Sequence, residues 1–287
     1  MHDDASDRPL LIVDGDNLTH RAYHSTPKTV RSPAGVPINA IVGFVNMLVA
    51  IWTNERPRGV FVAWDTLGVS TYRHALWPAY QSGRVFDTEI LDQLEALPAV
   101  CTAFGFGVAH EAGFEADDLM AAAAAIEVAR GGTCLLLTND RDAYQLVSDH
   151  VTVLNPRRGA SLIDRIGPLE VVERMGVLPE QVVAFKALSG DASDRIPGAR
   201  GIGPKTAAAM LLKHGTLDEV LRTWGRPAEV ALIETFRDVV QMRPDVPVSL
   251  PPSGTPDWQR AAAALREVGA LALADRIAAL SFGQDAS

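Results

Sequence analysis

The sequence predicts an α/β protein with a mostly parallel sheet flanked by helices, on three observations. Residues 10–13, 60–65, 134–138 and 151–154 form short apolar runs without alternation, as strands covered on both faces do. Helical patterns at 38–52, 88–104 and 117–130 separate the runs, a succession that suits a doubly wound sheet. Acids then follow the runs: Val13 leads into Asp14, Trp64 into Asp65, and Leu137 through Thr138-Asn139 into Asp140 and Asp142. Ligands of open α/β sheets bind beyond the carboxyl ends of the strands, where these acids fall.

The elements follow in order. Residues 1–9 form an acidic, polar tail with neither the basic start nor the apolar stretch of a secretory signal. Asp16 and Asn17 suit the cap of a helix beginning near Leu18, and Asp142 that of one beginning near Ala143. Asp117 and Asp118 suit the positive N-terminus of an Ala-rich helix that stops before Gly131-Gly132. After residue 168 strand signals cease, and 168–175, 179–188, 204–213 and 217–224 read as short helices with Pro starts or Gly stops. Residues 244–256 are Pro-rich and extended, and one last Ala/Leu helix spans 258–280. The expected division is a core over 10–174, a helical region over 175–240 and a C-terminal segment over 241–287 that packs on the core.

The chain of 287 residues is long enough for a substantial core, and it holds no apolar run long enough to cross a membrane. Cys101 and Cys134 sit in apolar contexts and read as buried free thiols of a reducing cytoplasm. The net charge of −9 argues at first against a polyanionic partner. Nine acids, however, are clustered: Asp14, Asp65, Glu115, Asp117, Asp118, Asp140, Asp142, Asp191 and Asp194. Setting them aside from the 35 leaves 26, which matches the 26 lysines and arginines, so basic patches remain available for nucleic acid.

Each acid taken singly reads equally well as a cap or a solvated charge; jointly they converge on one rim. Two carboxylates about 5 Å apart repel by roughly 3 kcal/mol at an effective dielectric near 20. A group of them needs hard cations, and an all-oxygen set favours Mg²⁺ or Mn²⁺. Zinc is disfavoured because His20, His24, His74, His110, His150 and His214 are scattered. Two such ions support phosphodiester hydrolysis. The hairpin Gly198-Ala199-Arg200-Gly201-Ile202-Gly203-Pro204-Lys205-Thr206 supplies the substrate class. Gly201 and Gly203 allow close approach of a phosphate, and Pro204 opens a helix whose free N–H groups point outward. Arg200, Lys205 and Thr206 add charge and a hydroxyl for phosphate contacts that carry no base specificity. The spacing of a nucleotide P-loop is absent.

These motifs together resemble the bacterial 5′ nucleases, also called flap endonucleases or 5′–3′ exonucleases. The resemblance rests on Val13-Asp14-Gly15, Trp64-Asp65, Phe114-Glu115-Ala116-Asp117-Asp118, Thr138-Asn139-Asp140-Arg141-Asp142 and Gly190-Asp191-Ala192-Ser193-Asp194 with the hairpin behind it. It implies a PIN-like core, a helical arch over about 70–98 and a helix–three-turn–helix element over about 180–215. It places all nine acids at metal positions, with Asp16 a candidate for a further ion, and it implies K⁺ at the hairpin. In the arch, Tyr72, Arg73, Trp77, Tyr80 and Arg84 mix aromatics and charge as base stacking would require, although Trp77 reads equally as core. The family's Tyr-Lys-x-x-Arg stands here as Tyr80-Gln81-Ser82-Gly83-Arg84, so Arg73, Arg84 and Tyr80 are the candidates for the scissile phosphate. The expected substrate is DNA with a 5′ flap, nick or branch, cut by a cytoplasmic, nucleoid-associated bacterial monomer. DNA polymerase and ligase are expected partners, since no polymerase segment follows residue 287. Two rivals stand beside this reading: an inactive protein that binds branched DNA, and a PIN-type ribonuclease.

Overall fold

The computed structural model describes residues 8–82, 87–157 and 162–280. The four apolar runs become strands β1 (Leu10–Asp14), β2 (Gly59–Ala63), β4 (Cys134–Leu137) and β5 (Val151–Pro156). Two further strands complete a six-stranded sheet of order β3-β2-β1-β4-β5-β6. β3 (Gly107–Ala109) is too short to carry a periodic signal. β6 (Ile163–Ile166) is a polar edge strand and the sheet's antiparallel member, paired with β5. The other pairings are parallel, as unbroken apolar runs predict.

Successive residues of a strand face opposite ways, and β1 feeds two cores accordingly. Leu10 and Ile12 pack with α5 (Ala116–Ala129), α7 (Val182–Ser189), α8 (Pro204–His214), α9 (Leu217–Arg222) and α10 (Val230–Val240). Leu11 and Val13 pack with α1 (Gly15–Ser25), α2 (Asn39–Glu55), α4 (Thr88–Ala103), α11 (Trp258–Glu267) and α12 (Leu271–Leu280). Two short helices, α3 (Tyr72–Leu76) and α6 (Pro168–Met175), complete the set.

Several expectations change. The last helix is two, α11 and α12, because the chain turns at Gly269, whose φ of 79° suits glycine and where a Cβ would meet Ser32 at 2.6 Å. Helix α1 begins at Gly15, and its cap is Asp14, which accepts from the Asn17 N–H, rather than Asp16 or Asn17. Asp142 opens a short 3₁₀ turn, Asp142–Leu146, without capping it. Of the span 70–98 expected as an arch, residues 88–98 belong to α4, which buries Ile90, Gln93, Leu94 and Leu97. α3 and α10 fall within the expected helical arch and helical region, where the sequence sets no separate bounds for either.

At the amino ends of the strands, opposite the acids, Arg58 ties three pieces together. Its guanidinium donates to both Glu127 oxygens and, at 3.2 Å, to the Pro251 carbonyl of the extended segment. Arg58 and Glu127 are both buried, so removing one leaves the other charge uncompensated. Arg58→Met is expected to destabilise the protein by about 3–5 kcal/mol. Urea denaturation tests this; a loss under about 1 kcal/mol, the scale of an exposed pair, would contradict it.

Candidate metal centre and nucleic-acid face

Strand register brings the acids together. Asp14 lies beside Ala63, with Asp65 two residues beyond, while Val13 pairs with Leu137, three residues before Asp140. Three strands thus deliver carboxylates to one edge, and the first turn of α5 adds Glu115 and Asp117. The result is a cavity of about 450 Å³ lined by Asp14, Asp16, Asp65, Glu115, Asp117, Asp140, Asp142 and Asp194.

Hydrogen bonds orient five of these acids. Asp14 accepts from the Asn17 N–H (3.0 Å) and the Thr138 hydroxyl (2.9 Å). Asp65 accepts from the Ala116 N–H (2.7 Å), and Asp16 accepts from the Asp65 N–H (2.8 Å). Asp140 accepts from the Asp142 N–H (2.9 Å). Glu115 accepts from Tyr80 (2.9 Å) and Thr71 (3.1 Å).

Burial is the main force on their protonation. It pushes the carboxyls of Asp14 and Glu115 up to about 7; Asp65 and Asp140 add to the shift at Asp14, and Arg73 opposes it at Glu115. Asp16 and Asp117 rise well above the usual carboxylate range for the same first reason, with neighbouring carboxylates adding repulsion. Such a set is short of positive charge, and its donors are all oxygen. It therefore fits a hard divalent cation.

Two buried cations divide the set. Arg73, 3% exposed, holds Asp118, 0% exposed, through two bonds of 2.6 and 2.8 Å, and lies 3.6 Å from Glu115. Burial disfavours the Arg73 charge, but the bond to Asp118 and the charges of Glu115 and Asp118 overcome this and raise its pKa further. Asp118 also accepts from Tyr72, the Glu115 N–H and the Arg243 N–H, and it does not line the cavity. The second cation is Lys186, paired with Asp142 and, at 2.7 Å, with Asp191. Burial raises the Asp191 carboxyl, but the Lys186 charge and the bonds from Lys186 and Ser193 outweigh it and leave it below its ordinary value. Carboxylate oxygens of Asp142, Asp191 and Asp194 lie within 4.8 Å of one another.

Of the aromatic and basic residues expected to meet single-stranded DNA, the four among the described residues, Tyr72, Arg73, Trp77 and Tyr80, bond within the protein. Tyr80, 4% exposed, donates to Glu115; burial and the Glu115 charge push its hydroxyl far up, so it stays protonated. The Trp77 indole donates to the Arg195 carbonyl (3.0 Å), and its ring meets Phe236 edge-on. Tyr72 donates to the Gln241 carbonyl, and the Arg73 guanidinium also reaches the Val239 carbonyl. Arg73 is thus a structural partner of Asp118, not a mobile arch cation. Arg84 lies outside the described residues. Sequence reasoning missed Lys186, Thr138 and the bridging role of Gln81, whose amide donates to Tyr80 (2.8 Å) and Asp194 (3.2 Å). One signal for Lys186 was present: a lone charge inside the apolar helix Val182-Val183-Ala184-Phe185-Lys186-Ala187-Leu188 needs a partner.

The loop carrying Asp191 and Asp194 joins α7 to α8. Gly198 (φ 71°) backs onto Gly190 so closely that a Cβ would lie 2.3 Å from the Gly190 nitrogen. Beyond it Arg200, Gly201, Gly203, Lys205 and Thr206 are exposed and Ile202 is half-buried. Gly203 stands at the N-cap of α8 with Pro204 first in the helix.

Carboxylates gathered over parallel strand ends, beside a helix–turn–helix unit with an exposed basic hairpin, define a nuclease-type fold of the resolvase-like, PIN class. The chain belongs to the 5′-3′ exonuclease family: residues 9–176 match its N-terminal resolvase-like domain and residues 177–256 its C-terminal SAM fold. It is 36% identical over 261 residues to DNA polymerase I of Mycobacterium tuberculosis H37Rv, covering 87% of this chain and 29% of the polymerase. It is 33% identical over 233 residues to a 5′-3′ exonuclease of the same strain, covering 74% of this chain and 73% of that protein. The chain thus spans less than a third of the length of its polymerase relatives. T5 5′-exonuclease with bound zinc shares the fold at a TM-score of 0.69 and 21% identity, covering 94% of this chain and 97% of that one. The catalytic core of Rad2 in complex with DNA substrate shares it at a TM-score of 0.60 and 14% identity, covering 95% and 92%.

The raised carboxyls carry a stability consequence. Asp14 and Glu115 titrate near 7 when folded, against ordinary values of 3.8 and 4.5. Between those values the folded state holds more protons than the unfolded chain, so stability falls as pH rises through the window. Asp191, held low, acts only below it. Metal-free protein is therefore expected to melt higher near pH 5 than near pH 8, with Mg²⁺ or Mn²⁺ closing the gap. A melting temperature in EDTA that climbs from pH 5 to pH 8 would contradict this.

Proposed function

We propose that the chain is a divalent-metal-dependent 5′ nuclease that hydrolyses phosphodiester bonds of DNA at a 5′ end, flap or branch. The observation that carries this reading is the convergence of eight acids on one cavity next to the loop that leads into the exposed hairpin. Family membership supports it, as do two neighbours: T5 5′-exonuclease, which binds divalent ions, and a T5 flap endonuclease in complex with DNA and metal ions.

Asp14, Asp65, Glu115 and Asp117 would hold one ion, with Asp118 supporting them through Arg73 and Glu115. Asp140, Asp142, Asp191 and Asp194 would hold a second, and Asp16 is placed to steer a further one. Mg²⁺ or Mn²⁺ in these positions would supply an activated water and offset charge on the leaving oxygen. The chain's own residues do the rest. Thr138 and the Asn17 N–H aim the two Asp14 oxygens, and protonated Tyr80 fixes Glu115. Arg200, Lys205, Thr206 and the backbone of Gly201, Ile202 and Gly203 would grip duplex phosphates, with K⁺ as a candidate ion at the same hairpin. DNA polymerase and ligase are the proposed partners, with the chain acting as a monomer in the bacterial cytoplasm near the nucleoid.

Gln81 and Lys186 favour a second reading of weak or absent cleavage, because Gln81 supplies no charge where the family has lysine and Lys186 occupies two carboxylates. Incubation with Mn²⁺ and labelled DNA and RNA flaps decides between these readings; no product from either would leave a branched-DNA binder. Asp117→Asn or Asp140→Asn is expected to lower cleavage at least about 100-fold while flap binding persists. Equal loss of both would contradict the separation of grip from chemistry. Arg200→Ala with Lys205→Ala is expected to weaken duplex binding and to lessen the slope of log affinity against log salt. The decrease should be about 1 for each phosphate the protein no longer neutralises. An unchanged slope would remove the hairpin from the interface.

A further inference from the structure

We infer that Lys186 is the built-in counter-cation of the second carboxylate group and competes with a divalent ion for Asp142 and Asp191, so that it sets how tightly this group takes a metal. The inference rests on the reading of the cavity as a divalent-ion centre.

Lys186 projects from an otherwise apolar helix between the buried Phe185 and Ala187, and is 7% exposed. An ammonium so placed is retained only with close partners. Its partners are Asp142 and Asp191, two of the three acids whose oxygens lie within 4.8 Å of one another. Three carboxylates and one ammonium leave two negative charges, matched by a single divalent ion. That ion needs the same oxygens that Lys186 uses, and a doubly charged ion beside an ammonium in a buried site is strongly repelled. The two are therefore in competition.

The lysine stem has room to yield. A neighbouring cavity of about 460 Å³ is lined in part by Lys186, together with Asn139, Asp140, Arg141, Met175 and Asp191. Arg73, the other buried cation beside the acids, differs on this point. Its fork is bonded to both oxygens of Asp118 and to the Val239 carbonyl, and Asp118 does not line the metal cavity. The first group thus keeps Asp14, Asp65, Glu115 and Asp117 for an ion, while the second gives up an ammonium to take one. Two classes of ion affinity follow, with the weaker at Lys186.

Calorimetric titration of Mn²⁺ into the full chain without DNA tests this. Wild-type protein should show a tight and a weak class. Lys186→Met should tighten the weak class by about tenfold or more, and Lys186→Arg should stay within about threefold of wild type. A weak class in Lys186→Met that is unchanged or weaker would overturn the inference, leaving Lys186 a structural or DNA-contacting residue. Should Lys186→Met fail to fold, wild-type protein gives a second measurement. The chain has four lysines, and Mn²⁺ should raise acetylation of Lys186 relative to Lys213, read by mass spectrometry. Unchanged or lower Lys186 acetylation would overturn the inference. Absence of any Mn²⁺ binding to wild type would overturn the metal-centre reading itself, whereas binding that is indifferent to Lys186 overturns this inference alone.

Discussion

Repulsion among carboxylates held at the open end of a parallel sheet is the constraint on which the rest of this structure depends. β2, β1 and β4 run side by side, with their apolar runs covered on both faces. Their carboxyl ends therefore share one edge, and with Glu115 and Asp117 from α5 they bring more negative charge to one cavity than its surroundings solvate. Burial, with repulsion from neighbouring carboxylates, already lifts the carboxyls of Asp14 and Glu115 to about 7. The fold answers with two internal cations and leaves the remaining deficit for ligands.

Those cations come from elements distant in the chain, and they bind the helical region to the sheet domain. Arg73, on the short helix α3, reaches Asp118 on α5 and the carbonyl of Val239 on α10. Lys186, on α7, reaches Asp142 after β4 and Asp191 in its own following loop. Each pair is buried, and such pairs contribute more to specifying an arrangement than to net stability, because desolvation cancels much of the attraction. Here the arrangement they specify is the site. The same contacts that balance charge hold α3, α7 and α10 in register with the strand ends.

This division explains what the sequence made legible. The strands and their terminal acids were readable because each lies within a few residues of the apolar run that orients it. The start of α8 and its phosphate-binding turn were readable from Gly201, Gly203 and Pro204, whose chemistry is local, while the helix–turn–helix unit came from the family resemblance. Pairings between residues far apart were not. The pair of Arg73 with Asp118 crosses 45 positions and the bond of Gln81 to Asp194 crosses 113, and nothing local to either member names its partner. The aromatic residues show the same limit. Tyr72, Trp77 and Tyr80 have the composition of a stacking surface, yet their polar atoms are spent on Gln241, Arg195 and Glu115. A polar tip on a large ring serves a buried hydrogen bond as well as a base, and only packing decides between them.

Gln81 joins these threads. A lysine in its place would bring a third cation to a cavity already holding Arg73 and Lys186 at its margins. The neutral amide instead bridges the Tyr80 hydroxyl and Asp194, and its N–H bonds the Asp194 carbonyl at 3.3 Å. Through Tyr80 it connects Glu115, in the first carboxylate group, to Asp194, in the second. Its φ of 47° is an unfavourable backbone for a residue with a Cβ, so the three bonds hold a conformation that the residue would not adopt alone. The segment that enters the arch is thereby fixed to the metal loop by geometry rather than charge. Gln81 itself brings no charge to this edge.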